Sequence, residues 1–381
     1  MNHRRAAWWK HTHENLTVDV SVANTEILMS ATESTTMVDV LNKWYNSEKN
    51  GTVMYSLEGG LGHGKSEILK HAVASVVQKN QNIKHAFVDA DPLNTSELNQ
   101  NMAGIASVLY DIFAREGRKT ADQIERECLD IFKASGPTFV SLLQWLPTLN
   151  SIFPVSFTFR SDDCRSVVMK AGKSPENQEL LEITQRTLLV GMFWAISNRE
   201  PLLLVLDDVL DMDVKSFSVF EDLITDGSHI INAYNIVNPG VLNFLVKECV
   251  PKKKQRRKIC LILSMKPFED AQEHMDPSVS VMLRDSFNIG KSNDDVSAKS
   301  KSCQRLFVPL LDEDSTEQVF VKCMRKMFPK LKMLDDAGRK SVFKQSEGNP
   351  LFIREIADEL MEVYKMDAKK IRLDKSETKL M

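Results

Sequence analysis

Short apolar runs alternate with longer helical patterns along the first 300 residues of the chain. The run from Leu202 to Leu206 is wholly apolar, which is typical of a parallel strand covered on both faces. Similar runs predict three more strands, near residues 53–57, 85–90 and 259–263. Between them lie helical patterns such as residues 178–197, where Ser174 and Pro175 supply a cap and a first-turn proline. Strands alternating with helices predict a doubly wound α/β sheet.

The two ends of the chain carry other patterns. In the lead-in, Met37, Leu41 and Trp44 recur at helical spacing. Towards the other end, Ser315-Thr316-Glu317-Gln318 is typical of a capping box that opens a helix, and a further helix is expected from Pro350. The predicted organisation is a lead-in and helix (1–48), an α/β domain (49–308), a helical subdomain (309–368) and a polar tail (369–381).

The stretch from Phe139 to Phe159 has no charged residue and is just long enough to span a bilayer of about 30 Å. Pro147 and Pro154 interrupt it, and polar side chains such as Gln144 would be costly in hydrocarbon. We therefore expect buried loop and short-helix structure there, and no membrane span.

Composition indicates a globular protein with room for two domains, since 43% of its 381 residues are hydrophobic and 27% are charged. The formal net charge of -3 gives no overall attraction to nucleic acid. Six dispersed cysteines without a C-x-x-C pair argue against a disulfide framework or a zinc site. The N-terminus lacks the apolar stretch of a signal peptide, so we expect a cytoplasmic protein.

One local patch is strongly basic, with six positive charges among residues 252–258. Such a run could contact phosphates or serve as a nuclear address. No aromatic residues interleave with the charges to stack on bases, so a solvated loop is the preferred interpretation. We do not expect nucleic acid as a partner.

The glycine-rich segment that follows the first predicted strand matches the Walker A pattern, G-x-x-x-x-G-K-[ST]. Its backbone N–H groups, with the dipole of the following helix, would cradle phosphates. We expect Lys65 to reach the β and γ phosphates and the Ser66 hydroxyl to bind Mg²⁺. The His63 side chain is expected to face solvent. The residues predicted to bind nucleotide here are Gly59, Gly60, Gly62, His63, Gly64, Lys65 and Ser66.

An acidic pair follows the most apolar strand. Mg²⁺ prefers oxygen ligands, and a P-loop needs a carboxylate at the end of a nearby strand. We therefore predict Asp207 as the magnesium-side acid and Asp208 as the group that orients or deprotonates the attacking water. Because aspartate reaches less far than glutamate, slow hydrolysis or a binding switch is expected.

Together these motifs resemble the STAND class of AAA-like signal-transduction ATPases, most closely the ATPase-like module that follows the cyclase domains of soluble (type 10) adenylyl cyclases. The resemblance runs from about Thr25 to Tyr364. Besides the two motifs above, it rests on Asp213-x-x-Ser216, Pro309-Leu310 and the string from Gly348 to Glu355.

The resemblance implies a five-stranded parallel sheet in the order 5-1-4-3-2 with a C-terminal helical lid. It also implies that Pro350 packs near the adenine and links the lid to the nucleotide state; from the residues alone, Gly348-Asn349-Pro350 reads as a turn that starts a helix. In this family a polar or basic residue after the fourth strand senses the γ-phosphate. Ser264 and Lys266 occupy that stretch, and Lys266 is the candidate, with a merely solvated lysine as the alternative.

Two departures from the family pattern stand out. The family's Gly-Arg-Glu sequence is replaced by Ala31-Thr32-Glu33, so the usual nucleotide contact there is not expected. The winged-helix, repeat and cyclase domains of the family are not seen either. We expect either a piece of a longer cyclase-like signalling protein or a module reduced to the switch.

The resulting hypothesis is a regulatory switch that binds ATP and Mg²⁺, hydrolyses ATP slowly, and is read by a partner protein or a fused effector domain. A DNA-associated AAA-type ATPase or transcription regulator is the first alternative, and a small-molecule kinase is the second. The chain has no Asn-Lys-x-Asp guanine signature, which favours ATP over GTP.

Overall fold

A computed structural model gives the fold of most of the chain. It describes residues 37–48, 50–89, 102–114, 119–153, 156–225, 257–271, 275–287, 289, 303–325 and 327–377. The lead-in before Met37, most of the basic run and the end of the polar tail lie outside these residues. So does Ala31-Thr32-Glu33.

Five parallel strands form the central sheet, in the order β2-β3-β4-β1-β5. Read from the other edge, this is the expected order 5-1-4-3-2, so the predicted α/β sheet is confirmed. Strand β4 lies between β3 and β1, with Leu206 opposite Leu263 and Leu57 opposite Ser264. The strands are β1 (Gly51–Glu58), β2 (Lys84–Asp89), β3 (Leu202–Asp207), β4 (Lys258–Met265) and β5 (Gln304–Phe307).

Helices connect and follow these strands. The prediction for residues 178–197 is confirmed by a helix that begins at Pro175, with the Ser174 side chain accepting from the Asn177 amide as N-cap. The helices are α1 (Met37–Asn46), α2 (Lys65–Lys79), α3 (Ala103–Ala114), α4 (Ala121–Ala134), α5 (Pro137–Val140), α6 (Asp162–Lys170), α7 (Pro175–Ser197), α8 (Val214–Ile224), α9 (Phe268–Ala271), α10 (Pro277–Asp285), α11 (Glu313–Met324), α12 (Asp336–Ser346) and α13 (Pro350–Glu377), with 3₁₀ segments at Leu143–Ser151 and Val209–Asp211.

The core lies at the central strands and the helices that cover them. Every residue of β3 is buried, as is every residue of α7 from Ile183 to Ser197 except Arg186. A strand buried on both faces favours apolar residues on both, which is why the run from Leu202 to Leu206 shows no alternation.

The described parts of the uncharged stretch, residues 139–153 and 156–159, contain only short helical segments and irregular structure, as expected. They contribute the end of α5 and the 3₁₀ segment Leu143–Ser151, whose Trp145, Leu146 and Leu149 are buried in the main core. Among the helices that the structure describes, none is both long and apolar enough to cross a membrane.

The described residues form two compact units. The sheet unit comprises residues 37–58 and 69–306, with the gaps given above. The loop-helix unit comprises the glycine-rich segment 59–68 and residues 307–377. The glycine-rich segment therefore clusters with the C-terminal helices.

Helices α11, α12 and α13 pack around a small core of their own. Its buried residues are Phe320, Met324, Val342, Ile353, Ala357 and Met361. Helix α12 has no counterpart in the sequence predictions, because Val342 is its only buried apolar residue and leaves no periodic stripe.

The predicted capping box at Ser315 is wrong. Helix α11 begins at Glu313, and its N-cap is Asp312, whose side chain accepts from the Ser315 amide. Asp is as effective an N-cap as Ser, and it stands three residues earlier, so Ser315 becomes a donor within the first turn.

Candidate functional site

The segment from Gly59 to Ser66 forms a tight loop between β1 and α2. Gly62 and Gly64 have φ angles of +78° and +85°, in the left-handed region that glycine adopts without strain. The His63 amide donates to the Gly60 carbonyl at 3.3 Å, and helix α2 begins at Lys65. The loop therefore leads directly into the N-terminus of a 15-residue helix, where the first amides have no partner within the helix.

Lys65 is folded onto this loop. Its side chain is buried, and Nζ donates to the Gly59 and Gly60 carbonyls at 3.0 and 3.1 Å. The adjacent Ser66 is half-buried. An ammonium held at the mouth of a helix N-terminus is a suitable group for binding an anion, and rotation of its flexible stem would exchange carbonyl oxygens for phosphate oxygens.

His63 is half-buried and does not simply face solvent. Its Nδ1 lies 3.0 Å from the Val308 carbonyl. Because a carbonyl only accepts, Nδ1 carries the proton in this contact. The ring thus ties the loop to the segment that leads from β5 to α11.

The start of α13 contacts the same loop. The Asn349 side chain donates through Nδ2 to the Leu61 carbonyl at 3.0 Å, and the Leu351 amide donates to the Gly62 carbonyl at 3.3 Å. Pro350 lies beside the loop as well, since a Cβ built on Gly64 would be 3.9 Å from its Cγ. The structure therefore brings Pro350 together with the glycine-rich loop.

Two glycines permit close approaches here, Gly62 to the start of α13 and Gly348 to Leu311. A Cβ on Gly62 would lie 2.6 Å from both Asn349 Oδ1 and Leu351 Cβ. Gly348 has φ +76°, and a Cβ there would lie 2.1 Å from the Leu311 carbonyl oxygen. Both contacts require the absence of a side chain.

In the sheet unit, the acidic pair ends β3 with two different environments. Asp207 is only 2% exposed, and its Oδ1 has no hydrogen-bond partner among the described residues. Asp208 is exposed and adopts a left-handed backbone conformation with φ 50° and ψ 47°. A buried carboxylate oxygen without a partner costs about 1–3 kcal/mol.

The neighbouring strand ends with a second unpartnered oxygen. Ser264 is fully buried in β4, and its hydroxyl has no partner among the described residues. Since Leu206 pairs with Leu263, the next residues in register are Asp207 and Ser264. Lys266, the predicted γ-phosphate sensor, follows the strand in a bend and is exposed.

Few side chains near Asp207 could bind a metal ion. Among the described residues, no group of three or more His, Cys, Asp or Glu side chains is placed to hold a metal ion. A single carboxylate, that of Asp207, together with hydroxyl groups is nevertheless enough for Mg²⁺. This ion keeps several of its waters and takes further oxygen ligands from substrate phosphates.

A buried ion pair that the sequence analysis missed stands at the end of β1. Glu58 is fully buried and accepts from Ser56 Oγ at 2.9 Å, from the Phe268 amide at 3.2 Å and from Arg305. These partners come from β1, α9 and β5. Glu58 therefore fixes the strand end from which the chain enters the glycine-rich loop.

Asp213 and Ser216, two residues of the family resemblance, join two helix N-termini. Asp213 accepts from the amides of Met102 and Gly104 at the start of α3 and from the Ser216 amide in α8. The Ser216 hydroxyl accepts from the Ile105 amide at 3.0 Å. These two residues anchor the N-termini of α3 and α8 to each other.

Only the end of the basic run is described. Arg257 stacks on the Trp194 ring at 4.2 Å, and Lys258 Nζ donates to the Ser47 carbonyl at 2.6 Å. These two cations thus make contacts within the fold. The other positive charges of the run lie outside the described residues.

No family model matches this chain, and comparison with curated proteins gives no match either.

Proposed function

We propose that this protein binds ATP together with Mg²⁺ through the Gly59–Ser66 loop and acts as a regulatory switch with slow hydrolysis. The observation that carries the proposal is the position of a complete Walker A sequence in the fold. It connects the carboxyl end of a parallel strand to a long helix that begins at Lys65, which is the context that the motif requires.

The phosphates would be bound by backbone amides and Lys65. The left-handed conformations of Gly62 and Gly64, and the position of the loop at the N-terminus of α2, support this role. In the nucleotide-bound protein, Lys65 Nζ would leave the Gly59 and Gly60 carbonyls for the β and γ phosphates. His63 would contribute through its backbone, because its ring contacts Val308.

Ser66 and Asp207 are the proposed magnesium residues. The partnerless Oδ1 of Asp207 supports this role, since a hydrated cation would supply the missing interaction. Asp208 is the proposed water-orienting residue, and its exposure and short reach support slow turnover.

For the γ-phosphate sensor we now favour Ser264 over Lys266. Ser264 is fully buried with a partnerless hydroxyl beside Asp207 in the strand register, whereas Lys266 is exposed. A buried hydroxyl kept without a partner is better explained by a ligand than by stability, because it destabilises the fold.

The output of the proposed switch is the group of helices α11–α13, which would act as a lid. Its support is the set of contacts from Asn349, Pro350 and Leu351 to the loop. A partner protein or fused effector domain would detect the change in these helices. Membership of the STAND class is part of the proposal, as is the choice of ATP.

Binding of MgATP to the purified protein tests this function. We expect a dissociation constant below millimolar for the wild type and a loss of at least about 100-fold for Lys65→Ala, because the ammonium is desolvated at the site. Lys79→Ala is the control, since Lys79 is exposed at the other end of α2. Equal affinity of the two variants, or no binding by the wild type, would refute the proposal.

A further inference from the structure

The Asn349 side chain makes two hydrogen bonds with different purposes. Its Oδ1 accepts from the Leu351 amide at 3.0 Å, which caps the first turn of α13. Its Nδ2 donates to the Leu61 carbonyl of the glycine-rich loop at 3.0 Å. The residue is only 9% exposed, so both bonds are protected from competition with bulk water.

These contacts fix the orientation of two peptide groups in the loop. In a planar trans peptide the C=O and N–H point in opposite directions. Because the Leu61 carbonyl is directed at Asn349, the amide of Gly62 points away from α13. Because the Gly62 carbonyl accepts from Leu351, the amide of His63 also points away from α13, towards the Gly60 carbonyl.

Only a side-chain amide can satisfy both partners. Asp or Ser at position 349 would still cap the helix, but a carboxylate has no proton for the Leu61 carbonyl and a serine hydroxyl is too short to reach it. Other N-caps among these helices, Asp312 and Asp335, are carboxylates that accept from the amides of Ser315 and Gly338. Of these three N-cap side chains, only Asn349 has an N–H to donate, and it caps α13, the helix that contacts the loop.

We propose that Asn349 is a positioning residue that holds the phosphate-binding loop in its binding conformation. It preorganises the loop amides before the ligand arrives, which lowers the ordering cost of binding. By reciprocity, phosphates bound to the loop strengthen the bond to α13. The nucleotide part of this inference rests on the proposed function; the effect on the loop does not.

The test compares Asn349→Ser with Asp335→Ser by hydrogen exchange in the absence of nucleotide. Both substitutions leave an N-cap hydroxyl, and Asp335 caps α12, where its side chain accepts from the Gly338 amide. We expect the amide hydrogens of residues 59–66 to exchange about two- to tenfold faster in Asn349→Ser, because the loop loses one hydrogen bond of ordinary net strength. Their exchange should stay unchanged in Asp335→Ser. Unchanged loop exchange in Asn349→Ser would overturn the proposal.

The affinity for MgATP gives the second measurement. Asn349→Ser should bind about three- to tenfold more weakly than Asp335→Ser, while the two variants melt at similar temperatures. Accelerated loop exchange with unchanged affinity would contradict the positioning role. A wild type that exchanges as expected but ignores MgATP would refute the proposed function and leave the control of the loop by Asn349 standing.

Discussion

Glu58 and Arg305 form a bidentate ion pair although 247 residues separate them in the chain. Arg305 Nε and Nη2 each lie 2.7 Å from a different carboxylate oxygen of Glu58. The guanidinium also lies 3.0 Å from Glu269 at the surface. Hydrogen bonding to Glu58 raises the pKa of Arg305 further above its already high value.

Removing the cation from this pair should destabilise the fold strongly. Arg305→Met leaves the fully buried Glu58 carboxylate with only a hydroxyl and an amide as partners, and we expect a loss of about 3 kcal/mol in the free energy of unfolding. Urea denaturation measures it. Glu269→Ala is the matched control, since it removes the exposed partner of the same guanidinium and should cost less than about 1 kcal/mol. Similar losses for both variants would show that burial of Glu58 does not set the cost.

Gly62→Ala should damage the loop more than its backbone conformation alone explains. Gly172 has the same φ of +78°, but a Cβ there meets nothing within 4 Å. Gly172→Ala should therefore cost only the left-handed strain of about 1–2 kcal/mol. In Gly62→Ala the new Cβ also strikes Asn349 and Leu351, so MgATP binding should be lost while Gly172→Ala binds normally. Titration of both variants with MgATP measures the difference in affinity. Normal binding by Gly62→Ala would contradict the loop geometry.

Substitution of Ser264 should separate activity from stability. Ser264→Ala removes a buried hydroxyl that has no partner among the described residues, so the melting temperature should stay or rise. If the hydroxyl contacts the γ-phosphate, the rate of ATP hydrolysis should fall about tenfold or more. Lys266→Ala should change neither quantity appreciably, because its side chain is exposed. If Lys266→Ala hydrolyses ATP slowly while Ser264→Ala hydrolyses it at the wild-type rate, then Lys266 is the sensor, as predicted from the sequence.

The buried carboxyl group of Asp222 should make the stability of the fold depend on pH. Burial raises its pKa to about 7 from an ordinary value of 3.8, against the lowering effect of Arg186, while Glu221 raises it further. An acid with a raised pKa takes up protons on folding. Its stabilising contribution is therefore complete below its unfolded pKa and is lost as the pH rises through about 7.

Asp222→Asn removes this titration and keeps an oxygen for Arg186, whose Nε lies 2.8 Å from Asp222 Oδ2. Between pH 5 and pH 8, the free energy of unfolding of the wild type should fall more than that of the variant. Urea denaturation of both proteins at both pH values measures these free energies of unfolding. The contributions of all other titratable groups cancel when the wild type is compared with the variant. Parallel behaviour of the two proteins would contradict the raised pKa.

Local signals in the sequence were sufficient for much of the fold. The apolar run of β3, the cap at Ser174, and the strand and helix on either side of the glycine-rich segment each depend on residues that are close in the chain, and each agrees with the structure. The order of the strands came from the family resemblance and not from the residues themselves.

The remaining features depend on contacts between distant residues, which leave no periodic pattern. Arg305 gives no sign in the sequence that it neutralises Glu58, and Asn349 gives none that it bonds to Leu61, 288 residues away. The charge of Lys266 is visible in the sequence, whereas the buried Ser264 hydroxyl, which has no partner among the described residues, is recognised only in the folded strand.

The most direct test of the central claim is hydrogen exchange of the wild type with and without MgATP. If the loop amides bind phosphates, MgATP should slow exchange most strongly in residues 60–68, and Lys65→Ala should abolish the effect while Lys79→Ala retains it. Unchanged exchange in residues 60–68 at millimolar MgATP, or protection confined to another part of the chain, would contradict the account.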